Sequence, residues 1–183
     1  MTKPSAQDVA KRLIILKYVV VKSAAVPPKT LLDNSYSSWS KDEQNKFVKL
    51  TKDQNNEVIS SIKSHKLWSL MTKEEKEFIQ SVPPKVDTQQ HINAMWRLES
   101  AIVLMWALGL IPYFPPFDSQ SNLEILKQIP FLNIDSFINN ARLIPDSEIE
   151  RKRSIAELWH WRSRTRQMIE EKRVPPAGIG FEI

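Results

Sequence analysis

The sequence contains no cysteine among its 183 residues. This absence excludes disulfide scaffolds, cysteine-ligated zinc, iron–sulfur clusters and enzymes with a thiol nucleophile. A chain without cysteine needs no oxidising compartment, so the composition favours a cytoplasmic protein. The basic and apolar stretch Lys11 to Leu16 has some features of a secretory signal. However, Lys17 interrupts that stretch and Asp8 precedes it, so we do not interpret it as a signal.

Long hydrophobic runs are absent as well. The longest strictly apolar run is Ala101 to Leu108, and it extends to Ile111 only when Gly109 is counted with it. Such a run is too short to cross a bilayer, which needs about 20 apolar residues. The sequence therefore predicts no membrane span and no membrane partner.

Glycine is scarce, with three residues against twelve prolines, and no Asn-Gly or Asp-Gly pair occurs. Hairpins and tight turns usually need glycine at positive φ, so this scarcity favours helices over strands. The apolar fraction of 42% is enough for one globular core in a chain of this length. We predict an all-α fold over 1–183, with one domain of about six helices around a buried central helix and little or no β-structure.

Helical periodicity and capping motifs indicate where the first helices lie. The first helix is predicted over 5–22, because apolar residues recur at steps of four, three and four. These residues are Val9, Leu13, Leu16 and Val20. Ser40 with Glu43 and Thr72 with Glu75 have the spacing of capping boxes, which open two further helices. A break near 51–55 is expected to divide the helix that follows Ser40.

The central helix is predicted over 88–109. Its second half, Ala101 to Leu108, is apolar on all sides, which is typical of a helix surrounded by protein. Gly109 is placed to take a left-handed conformation after the helix, and Pro112 follows soon after it. This helix is therefore predicted to be the hub of the core.

The last long helix is predicted over 147–173, with Ser147 and Glu150 as a third capping box and a non-helical tail over 174–183. Arg162 and Arg166 lie in line with the apolar face of this helix. The apolar residues of that face are Ile155, Leu158, Trp159 and Ile169. Eight basic and three acidic residues lie between Arg151 and Arg173, which accounts for the whole net charge of +5.

This basic helix has two interpretations. It is either a surface that binds the phosphates of a nucleic acid or phospholigand through its basic residues, Arg162 and Arg166 among them, with Trp159 or Trp161 stacking on bases, or an ordinary solvated helix face. No defined nucleic-acid-binding module matches the sequence, and the two arginines lie within the apolar stripe. The solvated face is therefore the preferred interpretation.

Residues for enzymatic chemistry are few. The three histidines, His65, His91 and His160, are isolated, and none has the spacing of a helical metal pair. No nucleophile elbow, phosphate-binding glycine loop or dinucleotide fingerprint occurs. The sequence therefore predicts no catalytic residue, no metal site and no cofactor.

Arg97 and Glu99 form an unusual charged pair just before the apolar half of the central helix. Being two residues apart, they face different directions and cannot pair with each other. If buried, each needs an opposite charge elsewhere. The last helix offers Glu148, Glu157, Arg162 and Arg166 as partners. We expect Arg97 or Glu99 to join the central and last helices, and the alternative is a pocket in which Arg97 binds a carboxylate or phosphate.

Several stretches together resemble the bacterial family described as domain of unknown function 4272. They are Lys11 to Val20, Trp96 to Ser100, Leu104 to Ile111, Ala141 to Ile149 and Ala156 to Arg162. The resemblance covers most of the chain, but it implies no activity and no catalytic residues. Similar proteins often continue with a further helical segment, so this chain is interpreted either as a short variant or as a truncated form.

Three functions follow from these observations, in order of preference. The first is a non-enzymatic interaction module that contacts a partner protein or a second copy of itself, with aromatic anchors in the loop Tyr113 to Phe117 and at Phe181. The second is nucleic-acid or phospholigand binding through the basic helix over 151–173. The third is an enzyme with a pocket around Arg97, Glu99 and a histidine.

Overall fold

The computed structural model describes residues 3–26, 36–83, 86–116 and 119–172. No strand occurs in these ranges, and the all-α fold class is confirmed. The α-helices are α1 (Ala6–Ala25), α2 (Lys41–Ser64), α3 (Lys73–Gln80), α4 (Thr88–Ala107), α5 (Ile134–Asn139) and α6 (Asp146–Glu170). Two 3₁₀ turns accompany them, Trp68–Leu70 and Leu123–Gln128.

The chain divides into two compact units, residues 1–143 and 144–183. The first contains α1 to α5 and the second contains α6. That both belong to one domain stays a prediction. The tail predicted over 174–183 lies outside the described residues.

The core of the first unit is built on α1. Every residue from Leu13 to Val20 is buried, including Lys17. The helix packs against α3, α4 and α5, so it is enclosed on several sides. Because Lys17 interrupts its apolar run, the sequence pattern indicates a helix with only one buried face. The lysine is instead accommodated inside the core, and α1 takes the position that we predicted for the helix over 88–109.

Helix α4 forms where it was predicted, but it is only partly buried. Asp87 caps its start through hydrogen bonds to the N–H groups of the first turn. At its end Gly109 has φ 67°, and its N–H donates to the Trp106 carbonyl at 2.8 Å. The Leu110 N–H reaches the Met105 carbonyl at 2.9 Å, which completes a Schellman motif. Val103 in the apolar half is exposed, so the expectation of a helix enclosed on all sides is corrected.

Helix α2 runs without interruption from Lys41 to Ser64, so the predicted break near 51–55 is wrong. The polar residues that suggested a break, Thr51 and Asn55, are buried. They lie one turn apart on the same side of the helix, and the Asn55 amide donates to the Ser81 carbonyl at 2.8 Å. A polar residue in a helix therefore marks a packed contact here rather than a helix end. The capping boxes at Ser40 and Thr72 are confirmed.

Helix α6 spans Asp146–Glu170, close to the predicted 147–173. Pro145 occupies the position before its first residue, and no side chain caps the helix start, so the predicted box of Ser147 and Glu150 is wrong. Because proline presets a backbone angle compatible with a helix start, the helix begins before Ser147. No residue of α6 is buried.

Candidate functional site

Glu99 lies on α4 and is held by the chain that precedes the second 3₁₀ turn. Its carboxylate accepts hydrogen bonds from the Ser121 N–H at 3.0 Å and from the Ser121 hydroxyl at 2.7 Å. Both oxygens therefore have a partner. The carboxylate lines a cleft of about 400 Å³ between α4 and the segment 120–123.

His91 lines the same cleft, two turns before Glu99 on α4. Its Nδ1 atom is buried and has no hydrogen-bond partner among the described residues. Burial lowers the pKa of His91 below its ordinary value of 6.5, so the ring is neutral at pH 7. The structure thus brings one of the isolated histidines and one predicted site residue to a single cleft.

Arg97 does not line this cleft. It is half-buried, and its charge acts on Glu74 and Glu75 of α3. The separation of Arg97 from Glu99 follows from their spacing on the helix, as the sequence predicted. The cleft therefore lacks the cation that the predicted enzyme pocket required.

Glu75 has its main partner on α1. Its carboxylate accepts two hydrogen bonds from the Arg12 guanidinium, at 2.9 and 2.5 Å, and a third from the Thr72 N–H at 3.0 Å. The side chain is only 3% exposed. Burial alone raises the pKa of Glu75, but the hydrogen bonds from Arg12 and Thr72 and the charges of Arg12 and Arg97 outweigh it, so the pKa lies below the ordinary range. This ion pair fixes α3 against α1.

The remaining predicted site residues lie on α6. Glu148 is half-buried near the helix start, whereas Trp159, Arg162 and Arg166 are exposed. The Arg166 Nε donates to Glu170 at 3.0 Å, one turn further along the same helix. The predicted bridge from α4 to α6 would join the two units and stays a prediction.

Two further arginines of α6, Arg153 and Arg164, also have partners within the helix. Arg153 donates to both oxygens of Glu150 at 3.0 Å and also pairs with Glu157. Arg164 donates to Gln167 at 3.1 Å. The helix begins before the basic segment and includes acidic residues there, so Asp146–Glu170 holds six basic and five acidic residues. Its charge is far more balanced than that of the segment 151–173.

An apolar seam runs along α6. Its residues recur at steps of three, four, three and four, which is heptad spacing. The α6 seam consists of Ile155, Leu158, Arg162, Thr165 and Ile169. Leu158 is 52% exposed and Ile169 58%, and Trp161 beside them is 42% exposed. A helix that presents such residues to solvent has an unused surface for a partner.

The aromatic loop contributes less to the surface than predicted. Tyr113 is exposed, but the Phe114 ring packs edge-on against Trp106 with their centres 4.8 Å apart. Phe117 and Phe181, the other predicted anchors, lie outside the described residues.

Two lysines of α1, Lys17 and Lys22, were not predicted as site residues, although both have a lowered pKa. The Lys22 amine donates to the side-chain oxygen of Asn55 at 3.0 Å and to the backbone carbonyls of Ile79 and Ser81 at 2.5 and 2.8 Å. Burial lowers the pKa of Lys22 to about 7 and that of Lys17 to about 8. The available signal was a lysine within an apolar helical run, Lys17, which we used only as an argument against a secretory signal.

Comparison with known protein families gives one match. A family model described as domain of unknown function (DUF4272) matches residues 1–178. The chain belongs to this family. The DUF4272 match spans both units, so the resemblance noted from the sequence is confirmed. Neither the curated proteins nor the solved structures contain a match to the chain.

The described residues of this DUF4272 member carry neither a membrane-spanning helix nor a metal-binding cluster. No helix among them is both long and apolar enough to cross a bilayer. Within the same residues, no group of three or more histidine, aspartate or glutamate side chains could hold a metal ion.

Proposed function

We propose that the protein is a non-enzymatic interaction module of the bacterial cytoplasm that forms a homodimer through the α6 seam. The observation that carries this proposal is the exposure of Leu158, Trp161 and Ile169 on a helix without a buried residue. The occupant that we assign to the seam is α6 of a second copy of the chain.

The length and pattern of α6 suit a helix–helix contact. Its 25 residues correspond to about 37 Å at 1.5 Å per residue. The seam covers two heptads, and Arg162 stands at its middle. A single charged residue in a mostly apolar seam lowers stability but selects one register and one partner. Arg162 would therefore restrict how two copies can pair.

The charge along α6 favours an antiparallel pair. The half from 146 to 157 contains four acidic and three basic residues, whereas the half from 158 to 170 contains one acidic and three basic residues. In an antiparallel pair each half lies against the half of opposite net charge. In a parallel pair like charges would meet, which is unfavourable at short distance.

Binding of a nucleic acid or phospholigand through the segment 151–173 is less well supported. Arg153 and Arg166 already pair with glutamates of the same helix. A phosphate would have to compete with these carboxylates. A cleft enzyme is also less well supported, since Arg97 is directed to α3 rather than to the cleft of Glu99.

We expect the protein to be dimeric at about 50 μM and the Leu158→Glu variant to be monomeric. The substitution would replace an apolar residue of each copy by a carboxylate, and taking an ion out of water costs several kcal/mol even where Arg162, one turn further on, can pair with it. Light scattering coupled to gel filtration measures both masses. His160→Glu is the matched control, because it introduces the same charge on the opposite side of α6, and we expect it to stay dimeric.

A monomeric wild-type protein at 50 μM would contradict the proposal, as would a dimer that survives Leu158→Glu. A monomer that binds a single-stranded oligonucleotide, with log affinity falling linearly with log salt, would instead establish the second function.

A further inference from the structure

An apolar groove lies along α1 in the first unit. Three residues one turn apart on α1 form one wall, and the chain after the second 3₁₀ turn forms the other. The α1 groove is lined principally by Lys17, Val21, Ala24, Ile129, Phe131 and Leu132, and its volume is about 670 Å³. Binding sites for small molecules commonly have volumes of about 300–1,000 Å³ and apolar walls.

Lys17 places one amine at the base of this groove. The residue is 3% exposed, and the amine donates to the Ile129 carbonyl. The Phe131 ring lies against it, with the ring centre 3.5 Å from the nitrogen. An ammonium group has three N–H donors, so the hydrogen bond to the Ile129 carbonyl leaves further donors of Lys17 unused.

The charge of Lys17 is not neutralised by the walls of the groove. The other ionisable residues that line it, Glu124 and Lys127, pair with each other and are exposed. Burial lowers the pKa of Lys17 to about 8, and no carboxylate of the described residues acts against this effect. At pH 7 the amine is still mostly protonated. A buried cation without an anion is costly, and a bound anion would remove that cost.

We propose that the α1 groove binds a small amphipathic carboxylate, whose apolar body lies against Val21, Ala24 and Leu132 and whose carboxylate pairs with Lys17. The walls favour a ligand with an apolar body, because the exposed surface of the groove is mainly hydrocarbon. Lys17 favours a carboxylate on that ligand, since it supplies one positive charge and unused donors at the base. This site uses only residues of the first unit and does not depend on the proposed dimer.

The proposal is tested with decanoate, 1-decanol and decylammonium, which share a ten-carbon chain and differ in charge. Titration calorimetry at pH 7 measures their affinities for the full chain. We expect decanoate to bind at least about tenfold more tightly than the other two, because a hydrogen bond to a charged group contributes a factor of that size.

Three variants locate the binding. Lys17→Met retains the apolar stem, and we expect it to lose about tenfold in decanoate affinity while its decanol affinity is unchanged. Lys49→Met is the matched control, since it removes one exposed lysine of α2 that does not line the groove, and it should bind decanoate like the wild type. Ala24→Trp fills the groove without changing a charge, and it should weaken both decanoate and decanol.

Circular dichroism and thermal unfolding establish that each variant is folded. If Lys17→Met does not fold, Ala24→Trp still tests the location of the site. The proposal is overturned if decanoate does not bind to the wild type, if decanoate binds Ala24→Trp equally well, or if Lys49→Met loses as much affinity as Lys17→Met.

Discussion

Replacement of Arg12 by methionine is expected to lower the free energy of unfolding by about 3–5 kcal/mol. The variant keeps an apolar side chain of similar length but leaves the Glu75 carboxylate buried without its cation. Glu75 would retain the Thr72 N–H, but it would lose both hydrogen bonds from the guanidinium. Urea denaturation followed by circular dichroism measures the change.

Arg153→Met is the matched control for this experiment. Arg153 also pairs with carboxylates, but it lies on the exposed surface of α6. Exposed ion pairs contribute about 0–1 kcal/mol, so the control should stay within that range of the wild type. Equal losses in the two variants would show that the Arg12–Glu75 pair has no special role in joining α1 and α3.

The contribution of this ion pair is also expected to depend on pH. The pKa of Glu75 is lower in the folded protein than in the unfolded chain. The stabilisation is therefore fully present above the unfolded value of about 4.3 and is lost as the pH falls through the folded value. The difference in unfolding free energy between wild type and Arg12→Met should narrow from pH 6 to pH 3. A constant difference over that range would contradict the assignment.

The second large effect is expected at Ile15, which is fully buried on α1. Ile15→Ala should lower the free energy of unfolding by about 2–5 kcal/mol, because it removes apolar contacts and leaves a cavity in the core. Val103→Ala on α4 is the comparison, and as an exposed position it should cost less than about 1 kcal/mol. Thermal and urea unfolding measure both variants.

This pair of variants distinguishes the two possible hubs of the first unit. A larger loss for Val103→Ala than for Ile15→Ala would restore the sequence-based interpretation, in which the helix over 88–109 is enclosed on all sides. Equal losses would indicate that α1 and α4 are buried to a similar extent.

The helical elements were predictable because their signals are local. The boxes at Ser40 and Thr72 and the glycine after α4 each act within one or two turns, so they are readable from spacing. The burial of each helix is not local. In the sequence, Lys17 resembles a residue on the polar face of an amphipathic helix. In the structure it contacts the Ile129 carbonyl and the Phe131 ring, which follow it by more than a hundred residues.

The candidate site was predictable only in part, for the same reason. The helix geometry established that Arg97 and Glu99 face different directions. The groups near them could not be identified because they lie on other elements of the chain. These are Glu74 and Glu75, on which the charge of Arg97 acts, and Ser121, which donates to Glu99. Charge alone pointed to the arginines of the last helix, but an uncharged serine satisfies Glu99.

The position of α1 in the chain affects how the protein is synthesised. About sixty residues separate the end of α1 from the start of α4, which covers much of it. At roughly 5–20 residues per second, the ribosome completes α4 on the order of several seconds after α1 has emerged. During that interval the nascent helix exposes the apolar residues from Leu13 to Val20, and such a segment is a binding site for a translation-associated chaperone.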